Sequence, residues 1–452
     1  MTNKREVRPQ APAGPRLFTI ALRPLQAFFR LEAASGLILL GCAVAALAWA
    51  NLHFDSYDRT FGAPLTIGAG PILLRFTLHQ LVNDGLMALF FFVVGMEIKR
   101  ELVEGELRTP SQAMLPAIAA LGGMVVPAAI YLAFNTGGPG APGWGIPMAT
   151  DIAFCVGVLT LLRSRVPHAL IVFVTALAIF DDIGGILVIA VFYGSGVQAT
   201  WLLATLAVGG AALAMSRAQV RSAPAWAIVG ALLWYTLHHS GIHATISGVI
   251  LGLAIPATAR RRPREVLHDL SVHASALARA AADHEQDEAA LRGIEGRLEE
   301  LEAPLTRFVR ALHPWMAFGV MPLFALANSG VHLAALDASQ ITGRVTIGTL
   351  LALFAGKLAG IFGFTLAAVR LGVARAPGGA SSAKLLGVSA VAGIGFTVAL
   401  FIAGLAFPST PRLLDEAKLG ILVGSLVSGV VGALILRATA PVPAAPARRG
   451  EP

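Results

Sequence analysis

The segment Ala178–Val188 reads AIFDDIGGILV and places two adjacent aspartates in the middle of an apolar run. The run covers residues 168–192, which is long enough to cross a hydrocarbon core of about 30 Å as a helix. A charge at the centre of a bilayer costs at least about 2.5–3.5 kcal/mol on insertion scales. Asp181 and Asp182 therefore need a partner, a water-filled cavity or a task, and the segment predicts a membrane helix that carries function.

The rest of the chain also has the composition of a membrane protein. Of its 452 residues, 56% are hydrophobic and 13% are charged, whereas about a quarter of the residues are charged in soluble chains. Recurrent apolar runs predict an all-α polytopic membrane protein of about twelve helices. The predicted spans are 33–51, 79–97, 112–134, 147–162, 168–192, 199–215, 223–240, 242–256, 312–330, 345–369, 385–406 and 415–437.

The basic residues follow membrane topology. The formal charge is +8, and Lys and Arg cluster before the first span and in alternate loops. This pattern predicts a multi-pass protein of the bacterial inner membrane with both termini in the cytoplasm. It does not resemble the basic groove of a nucleic-acid-binding protein, and nucleic acid is not expected as a partner.

Two polar segments interrupt the predicted helices. Residues 63–76 predict an external β-hairpin around Gly68–Pro71. The stretch before the ninth span is rich in Ala, Glu, Arg and Leu and predicts a cytoplasmic helical insert. The predicted organisation is a cytoplasmic tail at 1–30, eight membrane helices at 31–256, the insert at 257–306, four membrane helices at 307–437 and a cytoplasmic tail at 438–452.

Three further charges lie inside predicted spans, namely Lys357 in the tenth, Asp151 in the fourth and Asp84 in the second. Neighbouring residues of a helix point about 100° apart, so one lysine cannot pair with both aspartates of the fifth span. We expect one of them to face Lys357 and the other to face an open cavity. Carboxylate oxygens bind both protons and hard cations, which is the minimal requirement for antiport. For Asp84, a structural ion pair and a transport role both stay open.

Two spans also contain helix-breaking patterns. The fourth span has Thr150 and Asp151 just after a proline, and the eleventh has Gly393 and Gly395 in AVAGIGFTVAL. Interrupted helices in corresponding positions of inverted repeats mark transporter sites, here in the third to fifth and tenth to twelfth spans. Asp151 and Lys357 have suitable signs to neutralise freed helix ends. Close helix packing is the alternative explanation for the two glycines.

Seven segments stand in order from about Leu31 to Ala406: LEAASGLILL, LVNDGLMALFFFVVGMEIKREL, ATDIAFCVGVL, FDDIGGILVIAVFY, SGIHATISGVILG, HPWMAFGVMPLFALANSGV and GIGFTVALFIAGLAF. Together they resemble the NhaA-type sodium/proton antiporters. The resemblance implies an electrogenic, pH-regulated exchange of internal Na⁺ or Li⁺ for a larger number of external protons, without a cofactor.

The resemblance also implies roles for the buried charges. Asp182 would be the principal ion-binding carboxylate, with Asp181 as its partner and with Lys357 paired to Asp181. Thr150 and Asp151 would lie where the interrupted helices cross.

Four more residues would line a cytoplasmic funnel linked to pH sensing: Glu97, Arg100, Glu101 and His313. The hairpin would form a homodimer contact. An acidic residue that members of the family sometimes carry four positions before the histidine is Val309 here, and the insert is longer than expected. Both departures concern the pH set-point and leave the transport chemistry unchanged.

Other interpretations stay open for the histidines. His243 fits either hydrogen-bonded packing or pH modulation. Together with His238 and His239 it could suggest a transition-metal site, but no Cys or carboxylate completes such a set.

Rival protein classes fit less well. Intramembrane aspartyl proteases need aspartates on separate helices with a GxGD context, and membrane prenyltransferases need aspartates one turn apart. A cation channel would not need a central lysine. A sodium-coupled symporter is the closer rival, and a flux assay without solute would separate it from an antiporter.

Overall fold

In a computed structural model, the described residues are 17–69, 72–194, 196–258 and 302–441. They are mostly helical, because a chain in lipid must satisfy its backbone polar groups within each segment. The helices are α1 (Leu17–Leu52), α2 (Phe54–Phe61), α3 (Leu78–Gln80), α4 (Met87–Val103), α5 (Pro110–Asn135), α6 (Ile152–Leu161), α7 (His168–Phe192), α8 (Ala199–Arg217), α9 (Ala223–Ser240), α10 (Ile246–Ala254), α11 (Pro304–Trp315), α12 (Met321–Asn328), α13 (Ala338–Ile341), α14 (Arg344–Leu351), α15 (Lys357–Arg370), α16 (Ser382–Val391), α17 (Phe396–Ala406) and α18 (Pro411–Ala438).

Shorter turns join some of these helices into longer spans. Wide π-helical turns link α3 to α4, α11 to α12 and α14 to α15, and 3₁₀ turns occur at four other places. The π turns are Leu81–Leu86, Met316–Val320 and Ala352–Gly356, and the 3₁₀ turns are Glu106–Arg108, Ala141–Met148, Leu333–Ala335 and Pro377–Gly379.

The number of spans depends on how broken helices are counted. Within the described ranges, nine helices are long and apolar enough to cross a membrane, and the pair α16 and α17, bent by 46°, makes a tenth. The predicted spans at 223–240 and 242–256 correspond to α9 and α10. Because α10 has only nine residues, it covers about 14 Å, or roughly half of a hydrocarbon core. All twelve predicted segments contain helix. Only ten of them, with α16 and α17 counted as one, are long and apolar enough to cross a membrane.

The predicted hairpin is present. Strands β1 (Pro64–Ala69) and β2 (Ile72–Thr77) pair antiparallel, with Leu65 opposite Phe76 and Ala69 opposite Ile72. The end of β2 leads directly into α3, where the Thr77 hydroxyl accepts a hydrogen bond from the Gln80 backbone at 3.1 Å. Most of the predicted insert, residues 259–301, lies outside the described residues.

The buried apolar residues form two clusters that meet at α4. One cluster includes Phe91 and Val94 of α4 together with residues of α1, α5–α7 and α15–α18. The other includes Val93 and Met96 of α4 together with residues of α8–α11. Helix α4 therefore has an apolar neighbour on two sides, and it carries the predicted funnel residues between them.

Helices α5 and α15 cross at unusually short range. A Cβ atom on Gly122 would lie 2.4 Å from the Gly360 carbonyl oxygen. Only glycine allows the two backbones this close. The crossing holds α15 against α5 and so fixes the start of α15, where Lys357 lies.

Candidate functional site

Two interrupted helices cross in the middle of the molecule. The backbone is extended between the Ala141–Met148 turn and α6, and again leaves the helix between α16 and α17. At the crossing, the Asp151 amide donates to the Ile394 carbonyl at 2.7 Å. The Thr150 hydroxyl lies 3.0 Å from the Ala392 carbonyl oxygen. Groups freed by one break are thus partly satisfied by the other.

The glycines of the second break permit this crossing. A Cβ on Gly395 would lie 2.9 Å from the Ala149 carbonyl oxygen, and one on Gly393 would lie 2.6 Å from the Leu353 carbonyl oxygen. Both glycines lie within the interruption, and both are needed for close approach. The two explanations left open by the sequence therefore apply together.

Asp151 caps two helices at once. Its Oδ1 accepts from the Phe154 amide of α6 at 3.1 Å. Its Oδ2 accepts from the Thr397 amide of α17 at 3.1 Å and from the Thr397 hydroxyl at 2.6 Å. Because helix N-termini carry partial positive charge, a buried carboxylate is favourable at this place.

Lys357 and Asp181 form a fully buried ion pair. Their Nζ and Oδ2 atoms are 2.5 Å apart, and both side chains have no exposed surface. Lys357 also donates to the Thr150 hydroxyl at 2.9 Å and to the Met148 carbonyl at 2.5 Å. The second contact places the cation at the carboxyl end of the Ala141–Met148 turn, where partial negative charge collects.

Asp182 points to a different environment from Asp181. It lines a cavity, whereas Asp181 and Lys357 do not. Within the described part of the chain, no group donates a hydrogen bond to the Asp182 carboxylate, which is only 4% exposed. An uncompensated buried carboxylate is costly unless it binds a proton or a cation. Asp181 and Asp182 thus face different surroundings, as expected for two adjacent positions on a helix.

The cavity joins the two predicted groups of residues. Its polar lining comes from both breaks and from α1, α4, α7 and α11, and its walls are otherwise apolar. His313 Nδ1 lies 4.0 Å from Glu97 Oε1, and each side chain is 23% exposed. The predicted site residues that line the cavity are Glu97, Arg100, Glu101, Thr150, Asp151, Asp182 and His313.

The remaining candidates lie outside the cavity. Asp84 is half-buried in the first π turn, and the Trp234 indole donates to its backbone carbonyl at 3.1 Å. His243 Nε2 lies 2.5 Å from the Tyr193 carbonyl oxygen. His238 and His239 stack on tryptophans. Among the described residues, no group of three His, Cys, Asp or Glu could hold a metal ion.

Three residues make contacts at the crossing that were not predicted from the sequence. Thr397 bonds Asp151, the Ser425 hydroxyl accepts from the Gly395 amide at 3.3 Å, and the Cys155 thiol donates to the Val391 carbonyl at 3.1 Å. Cys155 is buried, and its thiol satisfies a carbonyl beside the second break. Thr397 and Cys155 lie within four residues of a break, which was the only signal available for them, and Ser425 lies inside α18 and gave none.

Comparison with known proteins identifies the family of the chain. The family described as Na⁺/H⁺ antiporter 1 matches residues 26–436. An Na⁺/H⁺ antiporter NhaA of Anaeromyxobacter sp. (strain Fw109-5) is 66% identical over 96% of this chain and 95% of its own. Na⁺/H⁺ antiporter NhaA 1 of Myxococcus xanthus is 56% identical over 98% of both chains. An NhaA of Rhodopirellula baltica is 46% identical over 93% of this chain and 95% of its own. The chain is therefore a membrane protein of the Na⁺/H⁺ antiporter 1 family.

Proposed function

We propose that the chain exports Na⁺ or Li⁺ from the bacterial cytoplasm in exchange for a larger number of external protons. The observation that carries this proposal is the contrast between two adjacent carboxylates. Asp182 lines the cavity without a hydrogen-bond donor among the described residues, whereas Asp181 is paired with Lys357. The names of the similar proteins and the family membership support the choice of ions.

Competition for one carboxylate would couple the two fluxes. Asp182 can hold a proton or a hard cation but not both at once, so each ion that binds displaces the other. The cavity connects this carboxylate with the region of Glu97 and Glu101. Two carboxylates, Glu97 and Glu101, stand there against one cation, Arg100. The region would therefore carry net negative charge and attract cations.

The neighbouring ion pair would supply a second proton. When Na⁺ binds to Asp182 it displaces the proton of that carboxyl group, and its positive charge would drive a second proton off the Lys357 ammonium of the pair, so two protons leave for one Na⁺ that enters. Each cycle would then move net positive charge inward. Exchange by this route is electrogenic and is driven by the membrane potential.

Regulation and assembly complete the proposal. The funnel residues Glu97, Arg100, Glu101 and His313 would set the pH at which transport begins, and the β-hairpin would join two copies of the chain. The protein would lie in the inner membrane with residues 1–30, 257–306 and 438–452 in the cytoplasm. Those boundaries are the proposed domain organisation.

The test uses everted membrane vesicles that contain the full chain. Addition of Na⁺ to vesicles with an acidic interior should release protons from the interior, and the rate should change with an imposed membrane potential. A rate that is indifferent to voltage would refute unequal stoichiometry. Absence of Na⁺-driven proton movement without any added solute would refute antiport and favour a symporter.

A further inference from the structure

Thr397 lies where the cavity meets the second helix break. Its side chain is 1% exposed, and it lines the same cavity as Asp182 and Asp151. Its hydroxyl is 2.6 Å from Asp151 Oδ2, and its amide is 3.1 Å from the same oxygen. Thr397 is therefore in contact with the helix cap on one side and with the ion cavity on the other.

The three donors to Asp151 are not equivalent. The Phe154 and Thr397 amides are backbone N–H groups held in place by their helices, and an N–H group can only donate. The Thr397 hydroxyl can rotate about its C–O bond and can either donate or accept. Both amides donate to Asp151, and the Thr397 hydroxyl donates its hydrogen to Asp151 Oδ2 as well.

This orientation determines what the hydroxyl presents to the cavity. A hydroxyl that donates its hydrogen to Asp151 keeps two lone pairs on oxygen, directed away from the donated hydrogen. A cation in the cavity is attracted by that oxygen and would be repelled by a hydrogen pointing towards it. Asp151 lines the cavity as well, so its charge attracts a cation there directly, and it also fixes the direction of the Thr397 hydroxyl dipole.

We propose that Thr397 is an affinity-determining residue for Na⁺, with its hydroxyl oriented by Asp151 so that the oxygen faces the cation. The inference rests on the proposed function and adds a positioning role that none of the predicted site residues has. This role differs from a structural cap, because Asp151 caps α17 through the Thr397 amide and does not need the Thr397 hydroxyl for that. Removing the hydroxyl should therefore weaken cation binding more than it weakens folding.

The experiment measures Na⁺-driven proton release from everted vesicles at one alkaline pH over a series of Na⁺ concentrations. In Thr397→Val we expect the half-saturating Na⁺ concentration to rise about tenfold, the change that follows from losing an interaction worth about 1.4 kcal/mol. The maximal rate per folded protein should stay within about twofold, because Asp182 is untouched. Thr397→Ser keeps the hydroxyl and should restore the wild-type half-saturation.

A matched control is Thr365→Val on α15. Thr365 is also fully buried, but its hydroxyl donates only to the Ile361 carbonyl of its own helix, at 2.6 Å, and it does not line the cavity. The same loss of a buried hydroxyl should leave the half-saturating concentration unchanged there. If Thr365→Val raises it as much as Thr397→Val does, the effect is general to buried hydroxyls and the proposal is wrong.

Other outcomes also decide the matter. Wild-type half-saturation in Thr397→Val, with or without a lower protein yield, would leave Thr397 with a structural role only. If the valine variant does not insert, Thr397→Cys decides, because a thiol is a weak donor and acceptor. A raised half-saturation supports the proposal, and a wild-type value overturns it. Failure of the wild-type chain to exchange Na⁺ for protons would overturn the proposed function instead.

Discussion

The two faces of α7 carry the same side chain in opposite surroundings. On one face, Asp181 is sealed against Lys357 and Thr150, with no exposed surface. On the other, Asp182 borders a cavity that extends to His313. The difference follows from a rotation of about 100° between neighbouring helix residues. It teaches that one dipeptide can supply both a structural charge and an exchangeable one, and that the two should respond differently to mutation.

The largest expected effect is on the cavity face. Asp182→Asn should abolish Na⁺/H⁺ exchange, because an amide neither releases a proton nor offers the charge that a cation needs. The chain should still insert, since the neutral side chain is easier to bury than a carboxylate. Proton release from everted vesicles on Na⁺ addition measures the exchange, and detergent extraction measures the folded yield.

Asp55→Asn is a suitable control for the same chemical change. Asp55 lies on α2, and its side chain is 87% exposed. Its variant should exchange ions at the wild-type rate. Near-normal exchange in Asp182→Asn would show that transport does not need the Asp182 carboxylate.

The next effect is on the sealed face. Lys357→Ala leaves Asp181 buried without its cation, a loss that typically costs about 3–5 kcal/mol. We expect a lower melting temperature of the purified protein in detergent, with a smaller change in the Na⁺ dependence of the remaining activity. Adding Asp181→Asn to this variant should recover part of the stability, because no unpaired charge is then left.

An exposed ion pair provides the contrast. Arg59 lies 3.9 Å from Asp55, and their side chains are 82% and 87% exposed. Arg59→Ala should leave the melting temperature unchanged, because exposed pairs contribute little. If Lys357→Ala has the same melting temperature as the wild type, the buried Lys357–Asp181 pair does not stabilise the fold. The Asp181 face of α7 would then have no structural role.

The sequence predicted these two faces, because both the adjacency of the aspartates and the rotation per residue are local facts. It could not predict the distant partner of Asp151, whose other donor is the nearby Phe154 amide. That partner, Thr397, is 246 positions away along the chain, and only the crossing of two breaks brings it near. The length of α10 was also missed, since an apolar run does not show where its helix begins. Hydropathy indicates whether a segment is apolar enough to cross a membrane, but it does not show where the backbone leaves the helix.

A smaller effect is expected at the mouth of the cavity. If Glu97 and His313 form part of a separate pH sensor, Glu97→Gln should move the activity–pH curve at saturating Na⁺ by about one pH unit, the shift that a change of about 1.4 kcal/mol produces. If protons and Na⁺ merely compete at Asp182, saturating Na⁺ should flatten the acid limb in wild type and variant alike. Recording that limb at several Na⁺ concentrations separates the two mechanisms.

Glu104→Gln gives the matched control for the sensor. Glu104 is exposed just beyond the end of α4 and does not line the cavity. Its variant should keep the wild-type curve. An equal displacement in both variants would indicate a general surface-charge effect and would exclude a sensor at the mouth.

The smallest effect on transport should come from the β-hairpin, which belongs to neither face of α7. Deleting residues 67–72 removes the tip and keeps the Pro64–Thr77 pairing that leads into α3. If the hairpin joins two copies, native mass spectrometry should show that the deletion variant is a monomer. The hairpin tip that would contact the neighbouring copy is then missing. Exchange should survive, since every residue that lines the cavity belongs to one chain. Thr66→Ala, which leaves both strands in place, should stay dimeric. A deletion variant that is still dimeric would place the contact between copies elsewhere, and a monomer that no longer exchanges ions would show that the cavity depends on a neighbouring copy.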